Sequence, residues 1–426
     1  MKIYKKLNQL MRSNLFYNMS WLFILNFSNT LIPYFTFPYI TRIFLPEGYG
    51  RISFALSFIA YFQTIIDYGF NLTGARLVAK NDNSKSSISK IYSSIVLTKL
   101  LFFLLVVPVI LVIVNTNDAL RTDRWLIYIL LIMLLSNVLM PTWLFQGLQR
   151  MKFMTVISMS IRFIFLISVF VLIKSPDDIY LYTILYATSF LLISIISIFV
   201  IRFRLGIGFS KVSLYDIRIM INDGYYVFTS SAVIRVMGST GTFVLGLFHS
   251  PIYTGYYSGA NKIVQVITMM FYPIGQAMFP YICKNYDISF EKGYRVTIKF
   301  AKIVIPLFIL PTFFLLIFRG QVVSIILGES YSVAANILIL ISLTPILSII
   351  SNLMGTQILV ASGKTKEYSR AFFRGSILSI ILYIVLGYYF SVWGVSIASV
   401  LGSIINIIFL YVEIYKIKKY RQIKVI

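Results

Sequence analysis

Charge, cysteine and histidine are what this chain has least of. Only 12% of its 426 residues are charged, 14 residues are acidic, and Cys283 and His249 stand alone in their kinds. A soluble chain of this length would carry about 25% charge and divide into roughly two or three domains. One cysteine excludes an intramolecular disulfide framework, so stability has to come from helix packing. No P-loop, metal-ligating cluster or nucleophile elbow is present, and no carboxylate pair sits in an apolar stretch, so the marks of an enzyme are missing. Alternation of apolar and polar residues over about ten positions, the mark of a membrane-spanning strand, is missing too. The opening MKIYKKLNQLMR lacks a short apolar core and an A-x-A site, so the first apolar stretch is expected to be retained as a helix.

What is there is hydrophobic: 58% of residues, with a mean hydropathy of +0.85. About 20 residues cross a hydrocarbon core as a helix. Twelve segments reach that length, at 15–41, 49–73, 91–114, 125–148, 153–173, 179–201, 218–246, 255–281, 296–318, 332–360, 368–390 and 392–415. An all-α, polytopic membrane protein follows. If the N-terminus is inside, only Arg42, Arg51, Arg121, Arg124, Lys174 and Arg319 among the 38 basic residues fall outside. The bias places both termini in the cytoplasm. It also accounts for most of the formal charge of +24, which would otherwise suggest nucleic acid.

The two halves repeat each other weakly. FLPEGYGRISFALSF aligns with FHSPIYTGYYSGANK, pairing Pro46 with Pro251, Gly50 with Gly255, Ser53 with Ser258 and Ala55 with Ala260. A second match pairs Leu139 with Leu353, Met140 with Met354, Thr142 with Thr356 and Lys152 with Lys366. Similar offsets near half the chain predict two six-helix lobes, 1–203 and 204–426, related by a pseudo-two-fold axis along the membrane normal.

Four cations interrupt the apolar stretches: Lys99, Arg162, Arg235 and Lys262. Each costs roughly 2.5–3.5 kcal/mol at a helix centre on insertion scales, which marks them as functional candidates. Only Asp67 and, less centrally, Asp223 offer nearby carboxylates, so the interior is expected to be net positive and suited to an anion. Guanidinium geometry favours bidentate capture of phosphate, which puts Arg162 and Arg235 first, then Lys262 and Lys99. Lys99 and Lys262 have the alternative of snorkelling to headgroups. Gln63, Asp67 and Asn71 share one face of the second segment if that segment is one helix. Asn26 and Asn29 mark a polar stripe on the first, and Asn261 and Gln265 on the eighth. Such faces line an internal cavity or glue helices together. Asp67 is the candidate for ion or proton coupling, with a structural pair to Arg76 as the alternative. His249 reads as a turn residue.

Five stretches resemble the polysaccharide-transport branch of the multidrug/oligosaccharidyl-lipid/polysaccharide exporter superfamily, which holds the O-antigen (Wzx-type) flippases. They are LIPYFTFPYITRIFLPEGYGRISFA (31–55), DYGFNLTGARLVAK (67–80), WLFQGLQRMK (143–152), TGYYSGANKI (254–263) and GTQILVASGKTKEY (355–368). The resemblance spans essentially the whole chain. It implies two lobes forming a V around a central cavity in the bacterial inner membrane. It also implies an undecaprenyl-diphosphate-linked oligosaccharide as substrate, moved from the cytoplasmic to the periplasmic leaflet for O-antigen, lipopolysaccharide or a similar polymer. No cofactor is implied; a proton or sodium gradient supplies the energy. The expected partners are membrane lipids, a glycan polymerase and a chain-length regulator. A drug exporter of the same superfamily would want buried acids for cationic drugs, the opposite sign. A glycan polymerase would want a large outer loop, and the outer loops here are short.

Overall fold

The computed structural model describes residues 14–81 and 84–423, and among these every regular element is helical. In chain order, α1 (Asn14–Asp67) and α2 (Phe70–Lys80) lead to α3 (Lys85–Thr116) and a short α4 (Asp118–Thr122). There follow α5 (Arg124–Leu139), α6 (Thr142–Gly147), α7 (Met151–Leu172) and α8 (Ile179–Arg204). Then come α9 (Leu214–Phe248), α10 (Pro251–Ile288), α11 (Phe290–Ile317), α12 (Arg319–Ile326) and α13 (Ser332–Ile341). Last, α14 (Thr344–Asn352) runs into a π-helical stretch, Leu353–Val360, before α15 (Thr365–Ile423).

Side-chain caps set several starts. Ser84 accepts the Ser87 N–H at 3.3 Å ahead of α3, and Ser289 accepts the Lys292 N–H at 3.1 Å ahead of α11. Each satisfies one backbone donor that the first helical turn leaves over. Met140, extended at ψ 113° before Pro141, ends α5 where a proline disfavours helix in the preceding residue.

Nine helical stretches among the described residues are long and apolar enough to cross a membrane. The last of them, Thr365–Lys418, contains the break at Ser391 (φ 50°), and α1 contains another at Leu45 (φ 56°). The last helix therefore covers two of the twelve apolar segments, and α1 covers the first and the part of the second up to Asp67. Large apolar side chains face outward along the helices, with Leu105 69% and Leu310 73% exposed. A surface of that kind suits lipid and would be a liability in water. Inside, serine and threonine hydroxyls join helices through backbone carbonyls: Thr155 donates to Trp21 O and Ser194 to Ser136 O, both at 2.9 Å. With no water in hydrocarbon, such internal pairing is how polar groups are satisfied.

The chain forms two compact units whose borders differ from a cut at 203/204. The first takes the chain up to Phe44 and then Phe58–Arg235; the second takes Leu45–Ser57 and Val236 onward. The stretch after the Leu45 break thus belongs to the second unit. Within the second unit, Gly50 lies against Pro251 and Gly255 against Pro46, so that a Cβ on either glycine would run into the carbonyl oxygen of the opposite proline. These four residues are the matched pairs of the first sequence repeat. The buried Tyr331 hydroxyl donates to Leu45 O at 3.1 Å and holds the break.

Candidate functional site

In the first unit α1 ends at Asp67 because Tyr68 (φ 39°) and Gly69 (φ 77°) adopt left-handed backbone. Gly69 is also required by space, since a Cβ there would meet Val227 on α9 at 2.7 Å. This break corrects one expectation. Gln63 and Asp67 remain on α1, but Asn71 belongs to α2 and is exposed, so the three do not form one continuous face.

Asp67 itself gathers two of the four predicted cations. Its Oδ1 accepts from Lys99 Nζ at 3.5 Å, and its Oδ2 pairs with Arg235 Nη2 at 3.0 Å. Lys99 is 1% exposed and also donates to Asn137 O at 3.1 Å and to Asn137 Oδ1 at 3.5 Å. Asp67 is 8% exposed, whereas the Arg235 side chain is 44% exposed. A buried ammonium needs a partner of this kind, because an isolated one would cost several kcal/mol. Arg76, the alternative partner of Asp67, instead approaches Asp223 at 4.0 Å. The Lys99 side chain thus binds inward to protein groups and does not snorkel.

Arg162 stands apart, midway along α7 and 9% exposed. Its guanidinium lies 5.0 Å from the centroid of the Phe190 ring on α8, and its buried Nε has no hydrogen-bond partner among the described residues. Together with Thr142, Gln146 and Ser158 it lines a cavity of about 340 Å³ with no carboxylate among the described lining residues. The ring face accounts for part of the charge. The unpaired Nε asks for a further acceptor, since a buried donor left alone costs about 1–3 kcal/mol.

Lys262, Asn261 and Gln265 are half-buried on α10 in the second unit. The side chains of Asn26 and Asn29 lie outside the described residues. His249 accompanies the turn into α10, its Nε2 at 2.7 Å from Gly387 O. Three site residues had no individual signal in the sequence: Asn137, Ser158 and Phe190. Thr142 and Gln146 lie in or beside the stretch WLFQGLQRMK, and Thr142 also lies in the second repeat.

The profile of the family described as "Polysaccharide biosynthesis protein" matches residues 15–286. A protein of Escherichia coli K12 named "Putative O-antigen transporter" is 29% identical over 372 residues, 86% of this chain and 88% of that one. Among solved structures, the inward-facing form of a multidrug resistance MATE family transporter of the MOP superfamily superposes with a TM-score of 0.74. It is 13% identical, with 92% of this chain and 95% of that one covered. The lipid II flippase MurJ, in an inward closed conformation, gives a TM-score of 0.66 at 15% identity, with 90% and 87% covered. At those identities the two structures speak to the fold alone, which this chain shares with both.

Proposed function

Since the chain belongs to the polysaccharide biosynthesis protein family, we propose that it is a flippase for undecaprenyl-diphosphate-linked oligosaccharide. It carries an O-antigen repeat unit, or a similar one, from the cytoplasmic to the periplasmic leaflet of the bacterial inner membrane. The chain crosses that membrane twelve times in two lobes, with both termini in the cytoplasm. It moves the lipid without making or breaking a covalent bond, and the exported unit passes to a glycan polymerase under a chain-length regulator.

The observation that carries this reading is Arg162. It is a buried guanidinium with an unpaired Nε, in a cavity of about 340 Å³ lined by hydroxyl and amide groups and free of carboxylate. A diphosphate offers the acceptor oxygens that this group lacks, and a guanidinium engages two of them at once. Lys99 and Arg235 share Asp67, so their charge is partly spent within the protein. Arg162 therefore ranks above them as the diphosphate contact, with Lys262 the corresponding candidate in the second unit. The Asp67 cluster is the better candidate for coupling to a proton or sodium gradient: protonating or displacing one member changes the charge that the other two must balance. A cationic drug would meet the wrong sign at Arg162.

The test is complementation in a host lacking the gene, with surface glycan and inner-leaflet lipid-linked repeat units scored together. Arg162→Ala at normal abundance is expected to lower surface glycan at least tenfold and strand complete repeat units on the inner leaflet, while Arg162→Lys retains part of the activity. Wild-type surface glycan from Arg162→Ala would remove the reading's main support.

A further inference from the structure

The second unit holds a cavity that none of the charged candidates reaches. It has a volume of about 270 Å³ and lies between α10 and the junction of α14 with the π-helical stretch. On α10, Phe271, Tyr272 and Phe279 supply aromatic surface. On the other wall are Asn352, Thr356 and Gln357, and no lining residue is acidic or basic.

Two buried acceptors of these wall residues have no hydrogen-bond partner among the described residues: Asn352 Oδ1 and Gln357 Oε1. Gln357 is 1% exposed, and its Nε2 donates to Gly275 O at 3.0 Å, so the nitrogen of the amide is paired and its oxygen is not. Unpaired buried acceptors are uncommon and call for a donor from a ligand or ordered water. A π-helical stretch is itself rare and recurs at functional sites.

We propose that this cavity binds one neutral sugar ring of the transported glycan. The inference rests on the proposed function and adds a subsite for the sugar to the one for phosphate. The chemistry is specific to that class. The apolar face of a pyranose stacks on an aromatic side chain, and its hydroxyls, or an acetamido N–H, donate to the amide oxygens of Asn352 and Gln357, which turn toward the ring to receive them. A uronic acid or a phosphate brings a negative charge to walls that hold no cation and two acceptor oxygens, so it is rejected. The volume lies just below the range of about 300–1,000 Å³ usual for small-molecule sites, room for a ring and not for a whole repeat unit. Tyr272 and Gln276 are exposed, which leaves the cavity open on their side.

The experiment uses the full-length protein in lipid nanodiscs and saturation-transfer NMR. The probes are the methyl glycosides of glucose, N-acetylglucosamine and glucuronic acid at millimolar concentration. At least one neutral glycoside is expected to receive saturation, with the glucuronide at least tenfold weaker. Tyr272→Ala and Asn352→Ala are each expected to reduce the neutral signal at least fivefold. Tyr272 is 53% exposed, so its replacement leaves the fold intact and keeps the test valid should Asn352→Ala fold poorly. Absence of transfer to both neutral glycosides, equal signals from both variants and the parent, or a glucuronide signal as strong as the neutral ones would each overturn the proposal. Binding is read without transport. Sugar binding by the parent, with neither gene loss nor Arg162→Ala stranding repeat units, would count against the flippase alone; repeat-unit transport with no glycoside binding would count against the sugar subsite alone.

Discussion

The cavity of the first unit and the cavity of the second are lined by matched threonines, Thr142 and Thr356, each beside amide and aromatic side chains, and they differ in charge. The first holds a guanidinium and no acid; the second holds amides and aromatic rings and no charge at all. At the other repeat, the pairs Pro46–Gly50 and Pro251–Gly255 are the same residues twice. The difference lies in what each copy touches. Gly50 lies beneath the Pro251 carbonyl and Gly255 beneath the Pro46 carbonyl, so each copy is the other's packing constraint and both must stay small. Each cavity is lined by residues of its own unit, so a substitution in one leaves the lining of the other as it was, and one can serve phosphate while the other serves sugar.

The sharpest way to break this comparison is to remove the acid that lets the first unit carry charge. Asp67→Ala leaves Lys99 buried without its carboxylate and is expected to cost about 3–5 kcal/mol of stability, read from unfolding in detergent. Adding Lys99→Met to it should recover most of that loss, because the buried charge and its partner are then both gone. If Asp67→Ala alone unfolds like the parent, the ion cluster is not what holds these helices.

The reciprocal glycines come next in size. Gly50→Ala and Gly255→Ala each force a methyl onto a backbone carbonyl that cannot rotate away, and overpacking of this kind costs about 1–3 kcal/mol. Reciprocity makes the expectation more specific. The two losses should agree within about 0.5 kcal/mol, and the double variant should lose less than their sum, since residues in contact do not add. Unequal or additive losses would mean that the two contacts are independent.

Much of this was legible in the sequence, and the exceptions have physical reasons. Apolar length alone marked the helices, because lipid leaves a chain few other ways to satisfy its backbone. The repeat paired Gly50 with Gly255 in the alignment but carried no sign that the two meet, since a match in sequence says nothing of which copy packs on which. The buried cations pointed to Lys99, Arg162, Arg235 and Asp67 through their cost in hydrocarbon. The break at Tyr68–Gly69 was visible only as a lone glycine in an apolar run, so Asn71 was placed on a helix face that does not exist. The exchange of residues 45–57 between units had no signal, because a change of neighbour leaves hydrophobicity unchanged. Asn137, Asn352 and Gln357 were invisible for a related reason: an amide in a helix reads alike whether it binds a lysine, a carbonyl or nothing. Their meaning comes from what stands across from them.

The smallest expected effect contrasts the buried Asp67 with an acid of the same unit at the start of α9, ahead of its membrane-spanning part. Asp216 Oδ2 accepts the Ser213 N–H at 3.0 Å and the Ser213 hydroxyl at 2.9 Å, while Oδ1 pairs with Lys90 Nζ at 2.9 Å. The Ser213 amide first, then the Lys90 ammonium, hold its carboxyl down to about 2. A carboxyl lowered on folding stabilises the fold only while ionised. Its contribution is complete above the ordinary carboxylate value of about 4 and is lost as pH falls toward 2. The difference in unfolding midpoint between the parent and Asp216→Asn should therefore be constant from about pH 5 to pH 8, shrink below about pH 4 and vanish near pH 2. Because the Lys90 side chain is 54% exposed, salt should weaken that difference too, in contrast to the loss caused by Asp67→Ala, whose partner Lys99 is buried. A salt-insensitive effect at Asp216 would mean that the backbone amide of Ser213, not the lysine, supplies nearly all of it.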